Sequence, residues 1–169
     1  NLASWSRTVL PEYTVRNIEY EGVPLVGTID RIDLLDAQRA HIADYKTGST
    51  SNRKINKPTA KEPLGGIYWR QLYFYKILFE MHQSTRKVQS AAIVYLEPDS
   101  KGAYLKKEII YDNEGLQHVQ NLITETYAKI RAHDFYEGCG EEDCNWCNFI
   151  QLNERTHSFS DGEIEALDD

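Results

Sequence analysis

Residues 25–46 read LVGTIDRIDLLDAQRAHIADYK. Leu25 to Leu35 is apolar and β-branched, Asp36-Ala37-Gln38-Arg39 interrupts it, and Ala40 to Lys46 resumes the pattern. Two such runs about a short polar break predict an antiparallel strand pair. Side chains alternate along a strand. Val26, Thr28, Asp30, Ile32 and Leu34 share one face, and Ile42, Asp44 and Lys46 share another. The apolar members mark both faces as core-facing. Asp30, Asp44 and Lys46 are therefore expected at the interior or its rim, with Asp30 close to Asp44 across the pair. Two adjacent, poorly solvated carboxylates repel and require compensation. Lys46 is one source. A divalent cation is another, and oxygen-only ligands favour Mg²⁺ or Mn²⁺ over zinc. A cation there acidifies a water and braces a phosphate oxygen, while Lys46 stabilises developing charge. The plainer alternative is an Asp–Lys ion pair, with Asp30 bound to Arg31 or to backbone.

Outward from this core, Tyr13 to Tyr20 predicts a strand ahead of the pair, joined by a turn at Glu21-Gly22-Val23-Pro24. The three strands form an antiparallel meander. Thr47 to Pro63 reads as a polar loop. Gly66 to Met81 (GIYWRQLYFYKILFEM) is apolar almost all round, which predicts a deeply buried helix. Val88 to Leu96 and Ala103 to Tyr111 predict two more strands. Asp112 or Asn113 is placed to cap a helix reaching about His133. A Gly/Cys/acidic loop, a short turn around Trp146 and Phe149 and an acidic tail follow. The order implies an α/β fold, a mixed sheet with a meander flanked by helices.

The chain has 169 residues, 41% hydrophobic and 27% charged, which suits one globular domain and excludes a disordered or fibrous chain. No apolar run approaches the roughly 20 residues of a membrane span. The first residues lack a signal-peptide layout, and three cysteines are too few for a disulfide framework. Both point to a cytoplasmic setting. The absence of an initiator Met suggests a fragment of a longer chain. The net charge of -7 argues at first against nucleic acid, but residues 134–169 hold 11 acids and one base, so the other 133 residues carry a net +3. Lys46, Arg53, Lys54, Lys57 and Lys61 fall within 16 residues that contain no acid, a stretch able to hold phosphates. Its plain alternative is a solvated loop.

Gly27-Thr28-Ile29-Asp30-Arg31-Ile32-Asp33, then Asp44-Tyr45-Lys46-Thr47-Gly48, then Gln71 and Tyr75 on one helix, resembles the RecB-like branch of the PD-(D/E)XK nucleases. More narrowly it looks like the nuclease domain at the C-terminus of UvrD/Rep-type ATP-dependent DNA helicases of the Bacteroidetes type. Residues 65–71 and 138–149 fit that subgroup, and the resemblance covers roughly residues 10 to 150. It implies a restriction-endonuclease-like core over residues 1–149, with 150–169 as an acidic tail. It implies that Asp30, Asp44 and the Tyr45 main-chain carbonyl hold a metal and that Lys46 is the catalytic lysine. Gln71 and Tyr75 match a Q-x-x-x-Y motif beside the metal that contacts DNA, and Glu12 matches a further family glutamate. Arg70 joins Arg53, Lys54, Lys57 and Lys61 as the expected DNA-holding set.

Two departures stand out. Relatives often carry a metal-binding histidine before the first strand, whereas no histidine precedes His41. Many also bind a [4Fe–4S] cluster through four cysteines, and three cannot complete one. Zinc at Cys139, Cys144, Cys147 and His157 is the minor alternative, and a closed loop with small, partly buried thiols is the plainer reading. No G-x-x-x-x-G-K-[ST] phosphate loop occurs, so the chain is not itself an ATP-driven motor. The expected activity is metal-dependent hydrolysis of DNA phosphodiesters, in repair or recombination, on strands delivered by a helicase motor of the same polypeptide. The competing reading is a catalytically silent DNA-binding or docking module. A third has the acidic tail recruiting a basic protein partner.

Overall fold

The structure is a computed structural model, and it describes residues 8–48, 52–134, 144, 145 and 147–149. Two compact units divide the chain, Asn1–Thr126 and Tyr127–Asp169. The first holds a five-stranded sheet in the order β1-β2-β3-β4-β5. Its strands are β1 (Val9–Tyr20), β2 (Val23–Leu34), β3 (Arg39–Lys46), β4 (Lys87–Tyr95) and β5 (Lys106–Ile110). Helix α1 (Ile67–His82) lies between β3 and β4, and α2 (Asn113–Arg131) follows β5. Neighbouring strands are antiparallel except β3 and β4, which run parallel. That one parallel pair needs a crossover, and α1 supplies it.

The expected meander and helices are present, and the differences have local causes. β1 begins at Val9, ahead of Tyr13, because the ladder with β2 continues to Val9↔Asp33. As an edge strand it accommodates Pro11. Glu21 and Gly22 both have positive φ (47° and 80°), the geometry of a two-residue hairpin between Tyr20 and Val23. β5 begins at Lys106, after Ala103, because the Asp99 carboxylate accepts the N–H groups of Lys101 and Ala103 and folds them into a turn. Asp112 is the cap of α2: its Oδ1 accepts the Gly115 N–H at 2.7 Å.

The inward face of β2 is a correction. Val26 is 64% exposed and Thr28 faces solvent, where its hydroxyl bonds that of Thr14. Val23, Leu25 and Ile29 are the buried residues of this half. Here β2 pairs with β1 alone, and α1 packs on the face carrying Gly27, where an added Cβ would stand 2.6 Å from Leu78 Cδ1. A glycine leaves no side chain for an alternation count to register. From Ile29 onward the alternation fades: Ile29, Arg31, Ile32 and Asp33 are all buried. In this part β2 runs between β1 and β3.

Helix α1 is buried through Trp69, Leu72, Tyr73, Tyr75, Ile77, Leu78 and Phe79. It contacts β1, β2, β3 and β4. Tyr111 donates its hydroxyl to the Leu72 carbonyl, and Gly115 meets the rings of Trp69 and Tyr73. The C-terminal end of α1 is tied to β4 by Glu80, which accepts from Lys76, from Lys87 at 3.1 Å and from the Val88 N–H at 2.8 Å. Burial pushes the Glu80 carboxyl up, but Lys76 and the Val88 N–H outweigh it, and the net position is below the ordinary value. A depressed carboxyl stabilises the fold above its unfolded pKa, and that stabilisation is lost as pH falls through the folded one. Glu80→Gln is therefore expected to cost about 1–2 kcal/mol at neutral pH. In thermal melts the gap to the wild type should narrow below about pH 4.5. A gap constant with pH would show that the charge contributes nothing.

In the second unit, α2 ends at Arg131 and His133 adopts a positive φ of 54°. The Asn148 N–H bonds the Cys144 carbonyl within a short helical turn, and Cys144 and Cys147 are half-buried. Cys139, Trp146, His157 and the acidic tail lie outside the described residues. Among the described residues no helix is long and apolar enough to cross a membrane.

Candidate active site

The site forms where β2 and β3 part. Their ladder ends at Arg31↔Ala43, so Asp30 and Asp44 come next on the two strands. The Tyr45 N–H donates to Asp30 Oδ2 at 2.9 Å. The Asp30 carboxylate thus takes the place of a ladder carbonyl and is fixed against the Tyr45 peptide. Asp44, on the other strand, is only 1% exposed.

The Asp44 carboxylate is buried, and Lys46 Nζ pairs with its Oδ2 at 2.8 Å. The Tyr75 hydroxyl also bears on the Asp44 carboxylate. Burial raises the Asp44 carboxyl above its ordinary value, Lys46 opposes that rise and the Asp30 charge adds to it. The expected crowding of two carboxylates is therefore present, and Lys46 compensates it only in part. Asp30 does not pair with Arg31. Arg31 instead grips Asp33, with Nη2 to Oδ1 at 2.7 Å, and reaches the Tyr45 hydroxyl at 3.3 Å.

Helix α1 presents Gln71 and Tyr75 one turn apart, and Gln71 Nε2 donates to Tyr75 Oη at 2.8 Å. The Tyr75 phenol is pushed up to about 12, chiefly by burial, with Gln71 opposing and Asp44 and Asp30 adding. Tyr75 keeps its proton at neutral pH and serves as a donor, not a base. Glu12 lies within β1, not ahead of it, between the pairs Pro11↔Arg31 and Tyr13↔Ile29. It is exposed at a positive φ of 46°. Among the described residues no three His, Cys, Asp or Glu side chains converge on one point. A cation here would therefore rest on two carboxylates and main-chain or water oxygens. Asp44's buried oxygens and the neighbouring Asp30 are hard oxygen donors, which fit Mg²⁺ or Mn²⁺.

The expected DNA-holding residues are not equivalent. Lys57 is ion-paired with Asp112. Arg70 donates to the carbonyls of Leu64 and Gly65, bracing the loop ahead of α1. Lys61 is exposed, and the Arg53 side chain lies outside the described residues. Lys54 lies over Tyr68, whose ring centroid is 5.3 Å from Lys54 Nζ and 5.2 Å from Lys46 Nζ. Tyr68 escaped the motif reading. Its signal was spacing: 68, 71 and 75 fall on one helix face. A hollow of about 160 Å³ lined by Lys57, Trp69, Asp112 and His118, among others, shares no residue with the carboxylate cluster.

The family model of the PD-(D/E)XK nuclease superfamily matches residues 2–152. The chain belongs to the PD-(D/E)XK nuclease superfamily. Its sheet and helices accord with the restriction-endonuclease-like fold of that class. Among curated proteins none matches. Among solved structures it is similar to one titled "Crystal structure of SSO0001", at 21% identity and a TM-score of 0.44 over 72% of this chain. The matched part is 50% of that protein's chain.

Proposed function

We propose that this chain is a divalent-metal-dependent deoxyribonuclease domain that works beside the motor of an ATP-dependent DNA helicase of the RecB-like, UvrD/Rep type, in repair or recombination. The observation that carries the catalytic part is the Asp44 carboxylate, 1% exposed and raised by burial, with Asp30, Lys46 and Tyr75 all bearing on it. Superfamily membership supports a phosphodiester-hydrolysing nuclease. The helicase setting rests on the resemblance at residues 65–71 and 138–149 alone.

Asp30, Asp44 and the Tyr45 carbonyl would hold Mg²⁺ or Mn²⁺, which when bound supplies Lewis-acid activation of water and charge neutralisation on a phosphate. Asp30, tied to the Tyr45 N–H, keeps its carboxylate in one orientation. Lys46 supplies a cation for charge that develops on the phosphoryl oxygens. Tyr75, held by Gln71, presents a phenol proton to the same space. Lys54 and Lys61, with Arg53, contribute the sequence-independent attraction for the strand.

The direct test is cleavage of single-stranded and duplex DNA with Mn²⁺ or Mg²⁺, beside Lys46→Ala. Metal-dependent cleavage that falls about 10²-fold or more in Lys46→Ala supports the reading. A folded chain that binds DNA and never cuts it would make the domain a silent docking module. Cleavage unchanged in Lys46→Ala would remove this lysine from the mechanism.

A further inference from the structure

Lys46 and Lys54 are eight residues apart in sequence and belong to different segments, the end of β3 and a short 3-10 turn, Asn52–Ile55, within the stretch expected to be a loop. Both ammonium groups nevertheless converge on the ring of Tyr68, at 5.2 Å and 5.3 Å from its centroid. Lys54 Nζ also donates to the Tyr68 hydroxyl at 3.5 Å. Lys46 lies within the roughly 6 Å reach of a cation at an aromatic ring, and Lys54 stands toward the hydroxyl end of the same ring. The charges of the two lysines are balanced differently. Lys46 has Asp44 at 2.8 Å. Lys54, half-buried, has no carboxylate within ion-pairing distance among the described residues, although Lys57 three residues on is neutralised by Asp112.

We propose that Tyr68 is a positioning residue that holds Lys46 and Lys54 as a pair of cations for a single phosphodiester beside the carboxylate site. The inference rests on the nuclease reading and extends it to the placement of the substrate's phosphate. Two ammonium groups on one ring repel each other, and an anion between them relieves that repulsion. A phosphodiester, with one charge shared over two non-bridging oxygens, can accept from two ammonium groups at once. The ring does no chemistry. Its quadrupole restrains two long, flexible stems that otherwise sample many rotamers. The helix makes this economical, because Tyr68, Gln71 and Tyr75 share one face of α1 and one rigid element sets all three.

The test compares Tyr68→Phe, which keeps the ring, with Tyr68→Leu, which removes it, both in the full chain. Thermal melts check that each variant folds. With a single-stranded oligodeoxynucleotide and Mn²⁺, Tyr68→Leu should lower kcat about tenfold and raise KM about threefold, and Tyr68→Phe should restore most of both. Lys54→Gln should act mainly on KM. A Leu variant equal to the wild type, or a Phe variant as impaired as Leu, overturns the proposal. A second readout needs no activity. The Hε protons of Lys46 should be shifted upfield by the ring in NMR spectra of the wild type and Tyr68→Phe, and return toward random-coil values in Tyr68→Leu. If the wild type cuts no DNA yet shows that shift, the nuclease reading fails and the positioning stands. If the shift is absent from the wild type, the positioning fails whatever the cleavage result.

Discussion

Asp44→Asn is expected to lose metal-dependent DNA cleavage by about 10³-fold or more, and in metal-free buffer at neutral pH to melt a few degrees above the wild type. The two halves of this expectation have one origin. Asp44 is buried, and that burial raises its carboxyl above the ordinary value although Lys46 opposes the rise. A carboxyl raised in the folded state is most compatible with folding below its unfolded pKa. Stability then falls as pH rises through the folded value, because ionising the group inside the protein costs more than ionising it in the unfolded chain. Asparagine removes that ionisation cost and also removes the anionic ligand. The gain in melting temperature should therefore shrink as pH falls and vanish below about pH 3, where the carboxyl is protonated in both states. A variant that still cuts DNA would displace Asp44 from the reaction. A variant that melts lower at neutral pH would show that Lys46 already compensates the buried charge in full.

Trp69→Ala is expected to cost about 4 kcal/mol, a large share of the stability of a domain this size. Trp69 is 1% exposed, and its ring lies 4.4 Å from that of Tyr73 and 5.9 Å from that of His118. It links α1 to the first turns of α2. The fit is tight on the other side too. A Cβ on Gly115 would stand 2.5 Å from Tyr73 Oη and 2.8 Å from Trp69 Cζ2. Both atoms belong to fully buried aromatic side chains with little room to turn aside, so Gly115→Ala should itself cost about 2 kcal/mol by overpacking. Chemical denaturation of both variants reads the two numbers. The removal of Trp69 opens a cavity, so the double variant should lose less than the sum of the singles. Strict additivity would mean that the alanine methyl and the indole do not compete for the same space.

Much of the sheet could be read from short-range chemistry. Polar breaks at Glu21-Gly22 and near Asp36 fall between β-branched runs, and such runs have few alternatives to pairing across their turns. The long apolar stretch around Trp69 needed cover on most sides and received it from the sheet and α2. The face of β2 was misread for a physical reason. Period-two alternation assumes one buried face, but β2 begins as a ribbon paired with β1 and ends between β1 and β3, with buried residues on successive positions. Counting apolar side chains also passed over Gly27, the position where α1 comes closest.

The sequence by itself determined the strand and helix order, the approach of Asp30 and Asp44 across a hairpin though not their register, and the placing of Gln71 and Tyr75 one turn apart. Each follows from local periodicity or turn length. Only the tertiary structure decided which charges are already satisfied. Arg31 belongs to Asp33, Lys57 to Asp112 and Arg70 to two loop carbonyls, while Lys54 meets Tyr68 beside Lys46. A charge has no periodicity, and its partner is whichever opposite group the packed chain brings within a few ångströms. That is why the acidic cluster could be read along the chain and its surrounding cations could not.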